Sequence, residues 1–268
     1  MDRIERIFNK CRDENRAALV IFVSCGFPNL PTSEEAIERA IAAGADIIEL
    51  GMPFSDPMAD GPVICASSHT ALQNGANIQN VLELAARVRS KHPEVGLVLF
   101  SYMNVIFHYG IDALCAELKR IGTDGVLAVD LPLEERGELM CACRDNGLHL
   151  VPLVSPATDR AREEQITKDA TGFVYYVSVR GATGVRDALP EDLSARVEEL
   201  RQISPVPVAV GFGIAGGDSA RGVAQIADGV VVGSAFVKKF FGEQSMEEKL
   251  ASAQALVAEL SANMRKLA

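Results

Sequence analysis

The sequence predicts a parallel α/β barrel, and three observations carry that prediction. Aliphatic and β-branched runs recur along the 268 residues, helix-period segments separate them, and polar or glycine-rich positions follow the runs at their carboxyl ends. The runs lie at 19–24, 46–50, 96–101, 125–130, 148–153, 173–178, 206–211 and 229–232. Strands that alternate with helices pair in parallel, and eight of them close a (β/α)8 or TIM barrel of about 250 residues. An open doubly wound sheet is the alternative on pattern alone. The polar residues favour the barrel. Glu49, Tyr102 with Asn104, Asp130, Ser155, Ser178, the turn 211–213 and Gly233-Ser234 all fall at carboxyl ends of strands. In a barrel those ends converge on the one face that carries active sites. No linker, repeat or low-complexity stretch divides the chain, so residues 1–268 are expected to form one domain.

The elements follow in order. The amino-terminal stretch Met1-Asp-Arg-Ile-Glu-Arg-Ile-Phe is charged and amphipathic, which predicts an extra helix before the first strand rather than a signal segment. A helix over 33–43 is expected to start at Thr32 or Ser33, with Glu34 and Glu35 in its first turn and Gly44 closing it. The second strand is broken by one acid, Glu49, among Ile47, Ile48 and Leu50, and runs into a loop stiffened by Pro53, Pro57 and Pro62. Further helices are predicted over 77–92, 111–121 and 134–146, with Gly122 and Gly147 closing the last two. After the sixth strand, residues 178–190 carry Gly181 and Gly184 and read as a lid.

Composition narrows the function classes. Hydrophobic residues make up 48% and support a sizeable core, while 23% charged is ordinary. No apolar run approaches the ~20 residues of a membrane-spanning helix, so no membrane role is expected and the chain reads as cytoplasmic. A net charge of −10 without a basic cluster argues against nucleic acid. Cysteines at 11, 25, 65, 115, 141 and 143 show no zinc-like spacing, and four histidines at 69, 92, 108 and 149 suggest no metal site. His108 is the one histidine close to a strand-end loop.

Two acids and two glycine turns carry the chemistry. A carboxylate inside a barrel strand, both of whose faces are covered, loses hydration, so the pKa of Glu49 is expected to rise. Asp60 lies eleven positions on (60 − 49), on a loop able to fold back over the strand end. A buried acid and a loop acid at one strand mouth suit proton transfer. Gly211-Phe-Gly213 and Gly233-Ser234 end the seventh and eighth strands, where barrels commonly hold phosphate on backbone N–H groups; tight turns alone are the plainer reading. No lysine falls at a predicted strand end, which argues against Schiff-base chemistry. The substrate must then carry its own electron sink.

These residues resemble the tryptophan synthase α-subunit family across essentially the whole chain. Glu-Leu-Gly-Met-Pro-Phe-Ser-Asp-Pro-Met-Ala-Asp-Gly-Pro (49–62) is similar to the family signature. Supporting matches are Ser-Cys-Gly-Phe-Pro (24–28), Tyr-Met-Asn (102–104), Asp-Leu-Pro-Leu-Glu-Glu (130–135), Tyr-Tyr-Val-Ser (175–178), Gly-Ala-Thr-Gly (181–184), Gly-Phe-Gly-Ile (211–214) and Gly-Ser-Ala (233–235). The resemblance implies retro-aldol cleavage of indole-3-glycerol phosphate to indole and glyceraldehyde 3-phosphate. It implies no cofactor in this chain and a β-subunit partner that holds pyridoxal phosphate, in an α2β2 assembly that passes indole through an internal channel. It assigns catalysis to Glu49 and Asp60, and the indole slot to Phe22, Phe100, Leu127, Tyr175 and Phe212. The turn containing Gly211 and the amides of Gly184, Gly213, Gly233 and Ser234 would hold the phosphate, with Thr183 closing against Asp60.

The chain departs from the family where Cys65 and Thr70 replace a usual Gln and Arg, and where Ala182 replaces a valine in the lid. These positions bear on how the loop is anchored and how it communicates with a partner. A stand-alone lyase, a mainly regulatory phosphate-binding subunit and a sugar-phosphate isomerase are the competing readings. Met52, Met58 and Phe107 are candidates for a docking rim.

Overall fold

Among the described residues, nine short parallel strands form one sheet in the order β5-β4-β3-β2-β1-β9-β8-β7-β6. They are β1 (Ala18–Ser24), β2 (Ile47–Gly51), β3 (Gly96–Ser101), β4 (Gly125–Ala128), β5 (His149–Leu150), β6 (Leu153–Val154), β7 (Val174–Val177), β8 (Val208–Gly211) and β9 (Gly229–Val232). The computed structural model describes residues 2–177, 192–211, 213–214 and 216–266. Its helices are α1 (Arg3–Asp13), α2 (Leu30–Ala42), α3 (Pro62–Gln73), α4 (Ile78–Lys91), α5 (Met103–Tyr109), α6 (Ile111–Ile121), α7 (Gly137–Asp145), α8 (Arg160–Thr167), α9 (Leu193–Ile203), α10 (Gly217–Ile226), α11 (Ser234–Lys238) and α12 (Met246–Ala262).

The two ends of the sheet, β5 and β6, are halves of one stave with only Val151 and Pro152 between them. Val151 donates its N–H to Val126 O at 2.9 Å on one side, and Pro152 O accepts from Tyr175 N at 2.9 Å on the other. Proline has no N–H to give, which breaks the ladder here while the chain still closes the cylinder. The fold is therefore the expected eight-stave barrel, with the fifth stave split.

Period-two alternation builds the interior in layers. Ala18, Val20, Ile47, Val98, Leu127, Val151, Phe173, Ala209 and Val231 pack with Ile4, Ile7, Phe8 and Cys11 of α1. The predicted amino-terminal helix is thus present, capped by Asp2 Oδ1 on Glu5 N–H at 2.8 Å, and Phe8 meets Phe173 with ring centroids 5.7 Å apart. Two residues further along the staves stand Phe22, Glu49, Phe100, Val129, Leu153 and Tyr175, which face the carboxyl end. Three aspartates tie the staves at the opposite end. Asp46 accepts from Leu19 N (2.8 Å), Asp124 from Leu97 N (2.8 Å) and Asp228 from Val208 N (3.0 Å).

Some boundaries differ from expectation. The cap of α2 is Asn29, whose Oδ1 accepts from Thr32 N at 2.9 Å, while Ser33 turns its hydroxyl back to accept from Gly26 N at 2.9 Å. The fourth strand stops at Ala128, because the Asp130 side chain accepts from Met103 N at 2.8 Å and draws the chain off the sheet. The helix expected over 134–146 is a 3-10 turn, Leu133–Glu135, followed by α7.

Candidate active site

A cavity of about 490 Å³ opens at the carboxyl end of the barrel. Glu49 enters it from β2, in register with Phe22 of β1 and Val98 of β3. Its side chain is fully buried, and neither carboxylate oxygen has a hydrogen-bond partner among the described residues. Burial without compensation pushes the Glu49 carboxyl up to about 8, so at neutral pH it is mostly protonated. Phe22 and Phe100 meet edge to face beside it, with centroids 5.0 Å apart at 80°. A Cβ on Gly51 would stand 2.3 Å from Phe22 Cζ, so the glycine after the acid makes room for that ring.

Asp60 also reaches the cavity, carried by the proline-stiffened loop. The Tyr102 hydroxyl donates to Asp60 Oδ2 at 2.9 Å and accepts from Ala59 N at 3.2 Å, so one side chain from the end of β3 clamps the loop twice. Phe54 stacks on the Tyr102 ring with centroids 4.9 Å apart, and its N–H donates to Ser68 Oγ at 3.0 Å. Cys65 Sγ lies 3.4 Å from Asp60 O and 3.8 Å from Pro57 O. The Cys65 thiol therefore anchors the loop, through two carbonyls. Burial raises the Asp60 pKa, and the hydrogen bond from Tyr102 opposes the rise.

Tyr175 lines the same cavity from β7. Burial holds its phenol well above its ordinary pKa, and the charges of Glu49 and Asp60 add to the effect, so it stays neutral. Gly211 is glycine for a steric reason, since a Cβ there would fall 2.3 Å from the Tyr175 hydroxyl oxygen. Gly213, Gly233 and Ser234 complete this side of the wall, with Ser234 opening α11. The two glycine turns and the two acids thus share one cavity. Thr183, Gly184 and Phe212, together with the segment 178–190 and Ala182, lie outside the described residues.

One expectation fails. Leu127 points into the barrel but sits one layer too deep, among Val98, Val151 and the residues of α1, and does not line the cavity. Val129, two residues on, takes the wall position. Met52 is buried, with its N–H donating to Phe100 O at 2.8 Å, whereas Met58 and Phe107 are 86% and 60% exposed. Sequence reasoning also missed Ile64 and Leu153 in the wall, and the Tyr102–Asp60 bond. Stepping by two from Val151 would have found Leu153; nothing local marks Ile64, which comes from the first turn of α3. Among the described residues no group of three or more His, Cys, Asp or Glu is placed to hold a metal, and no helix is long and apolar enough to cross a membrane.

Comparison with known proteins gives one answer. The family model described as tryptophan synthase alpha chain matches residues 8–266. The tryptophan synthase alpha chain of Geobacter sp. (strain M21) is 46% identical over 247 residues, covering 92% of each chain. That of Opitutus terrae is 40% identical over 262 residues, covering 98% of this chain and 96% of the relative. Among solved structures, Mycobacterium tuberculosis tryptophan synthase superposes with a TM-score of 0.90 at 33% identity, covering 98% of both chains. A chain from Aquifex aeolicus VF5 gives 0.91 at 37% identity, covering 99% of this chain and 100% of that one.

Proposed function

The chain belongs to the tryptophan synthase alpha chain family, a lyase of tryptophan biosynthesis, and on that premise we propose that Glu49 and Asp60 carry the proton transfers that cleave indole-3-glycerol phosphate. The observation that supports these roles best is the Glu49 carboxyl, wholly buried in the cavity wall with no partner for either oxygen among the described residues. A carboxyl held protonated near neutral pH is a general acid. It donates its proton to indole C3, and the indolenine so formed has a C=N bond able to accept electrons. The resulting carboxylate takes the proton of the neighbouring glycerol hydroxyl as the carbon–carbon bond breaks into that C=N. Indole and glyceraldehyde 3-phosphate leave, and Glu49 ends protonated as it began. Asp60, steadied by Tyr102, accepts or stabilises the indole N–H proton. Phe22, Phe100 and Tyr175 flank the indole ring, and the amides at Gly213, Gly233 and Ser234 take the phosphate.

The partner in this reading is a tryptophan synthase β subunit, in an α2β2 assembly. The exposed Met58 and Phe107, on the loop of Asp60 and on α5, supply apolar area for that contact. In the same reading the β subunit holds pyridoxal phosphate and this chain carries no cofactor. The test is indole release from indole-3-glycerol phosphate by the purified chain beside Glu49→Gln. Undiminished turnover in the variant refutes the catalytic assignment, and failure to co-elute with the β subunit refutes the assembly.

A further inference from the structure

Away from the reaction cavity, two thiols stand close enough to react with each other. Cys115 of α6 and Cys143 of α7 are both buried, and their sulfurs lie 3.9 Å apart. Cys25 and Cys65 donate to carbonyl oxygens, and Cys141 is exposed. Cys143 also forms part of the wall of a second cavity, of about 940 Å³, which runs along the split fifth stave past Leu150, Val151 and Pro152. A small neutral oxidant can therefore reach the pair without the helices parting. A disulfide needs the sulfurs about 2.05 Å apart, an approach of roughly 2 Å from the present separation.

We propose that Cys115 and Cys143 are a redox modification site, a dithiol that a hydroperoxide entering the side cavity converts into an intramolecular disulfide. In the first step a sulfur displaces water from the peroxide as the O–O bond breaks, and becomes a sulfenic acid. In the second, the other sulfur forms the S–S bond and expels the sulfenic oxygen as water. Two thiols and one hydrogen peroxide thus give one disulfide and two waters, each sulfur losing one electron. Either thiol can donate across the contact, and Cys143, the member of the pair that lines the cavity, is the sulfur that a peroxide meets first. Closure would tie α6 to α7. The latter helix follows the 3-10 turn Leu133–Glu135, and Leu131 and Leu133 line both cavities, so the link braces the partition between them.

The test needs no turnover and is independent of the catalytic reading. The full chain carrying Cys141→Ser is treated with hydrogen peroxide and mapped by peptide mass spectrometry without reduction. The expected result is a Cys115–Cys143 link in most molecules, with loss of two of the five remaining thiols (six less Cys141) and full recovery on adding dithiothreitol. Adding Cys115→Ala abolishes the link and leaves Cys143 trappable by dimedone as a sulfenic acid; Cys143→Ser abolishes it as well. A dose that oxidises Cys65 while Cys115 and Cys143 both stay thiols overturns the proposal, and so does a link made through any other cysteine.

Discussion

Replacing Glu49 by Gln should weaken the enzyme and strengthen the fold, and the second effect follows from numbers already given. Burial raises this carboxyl from 4.5 to about 8. The folded state therefore binds the proton more tightly than the unfolded chain. The contribution of Glu49 is fully present below about 4.5 and is lost as pH rises toward 8, because ionisation then leaves an unpartnered charge in an apolar slot. At about 1.4 kcal/mol per pKa unit, the ionised form costs roughly 5 kcal/mol above pH 8. Glutamine has nearly the same shape and no charge, so whatever fixed cost its amide adds does not vary with pH. Thermal unfolding of both proteins from pH 5 to pH 9 reads the difference. The melting temperature of Glu49→Gln should gain on the parent as pH rises, by roughly 10–20 °C at the plateau if 1 kcal/mol shifts Tm by about 2–4 °C. Turnover should fall by about 10²–10⁴-fold in the same variant. Two parallel pH–stability curves would show that Glu49 is not desolvated, and the acid role argued from its burial would go with it.

Other outcomes follow from the same geometry. In the parent, kcat/KM should fall above about pH 8 as Glu49 ionises, and fall again in acid as Asp60, whose pKa is also raised, takes up a proton. Tyr102→Phe removes the hydrogen bond that holds the Asp60 pKa down, so the acid limb of that profile should move to higher pH. Gly211→Ala places a methyl 2.3 Å from the Tyr175 oxygen, and steady-state kinetics should record a higher KM as the ring is displaced. Arg196→Met strands Glu163, which is 0% exposed and otherwise paired with Arg196 at 2.6 Å. Losing one partner of a buried pair costs about 3–5 kcal/mol, and because burial raises the Glu163 carboxyl, chemical denaturation should show the loss shrinking as pH falls and protonation relieves the stranded group.

Much of this molecule is written in local pattern. Alternation along each run sets which side chains point inward, and the strand-end polar residues are visible in the chain itself, so the barrel, its functional face and the pairing of Glu49 with the glycine turns could be read in advance. Depth could not. Leu127 and Val129 both point inward by the same alternation, and the stagger of neighbouring staves, together with the plug made by α1, decides that only Val129 meets the cavity. The same holds for contacts between distant segments, such as the Tyr102 hydroxyl on Asp60, the Cys65 thiol under its loop and the sulfurs of Cys115 and Cys143. Periodicity reports orientation about a single backbone axis, whereas these distances depend on how separate elements settle against one another, and that is determined only when the whole barrel has closed.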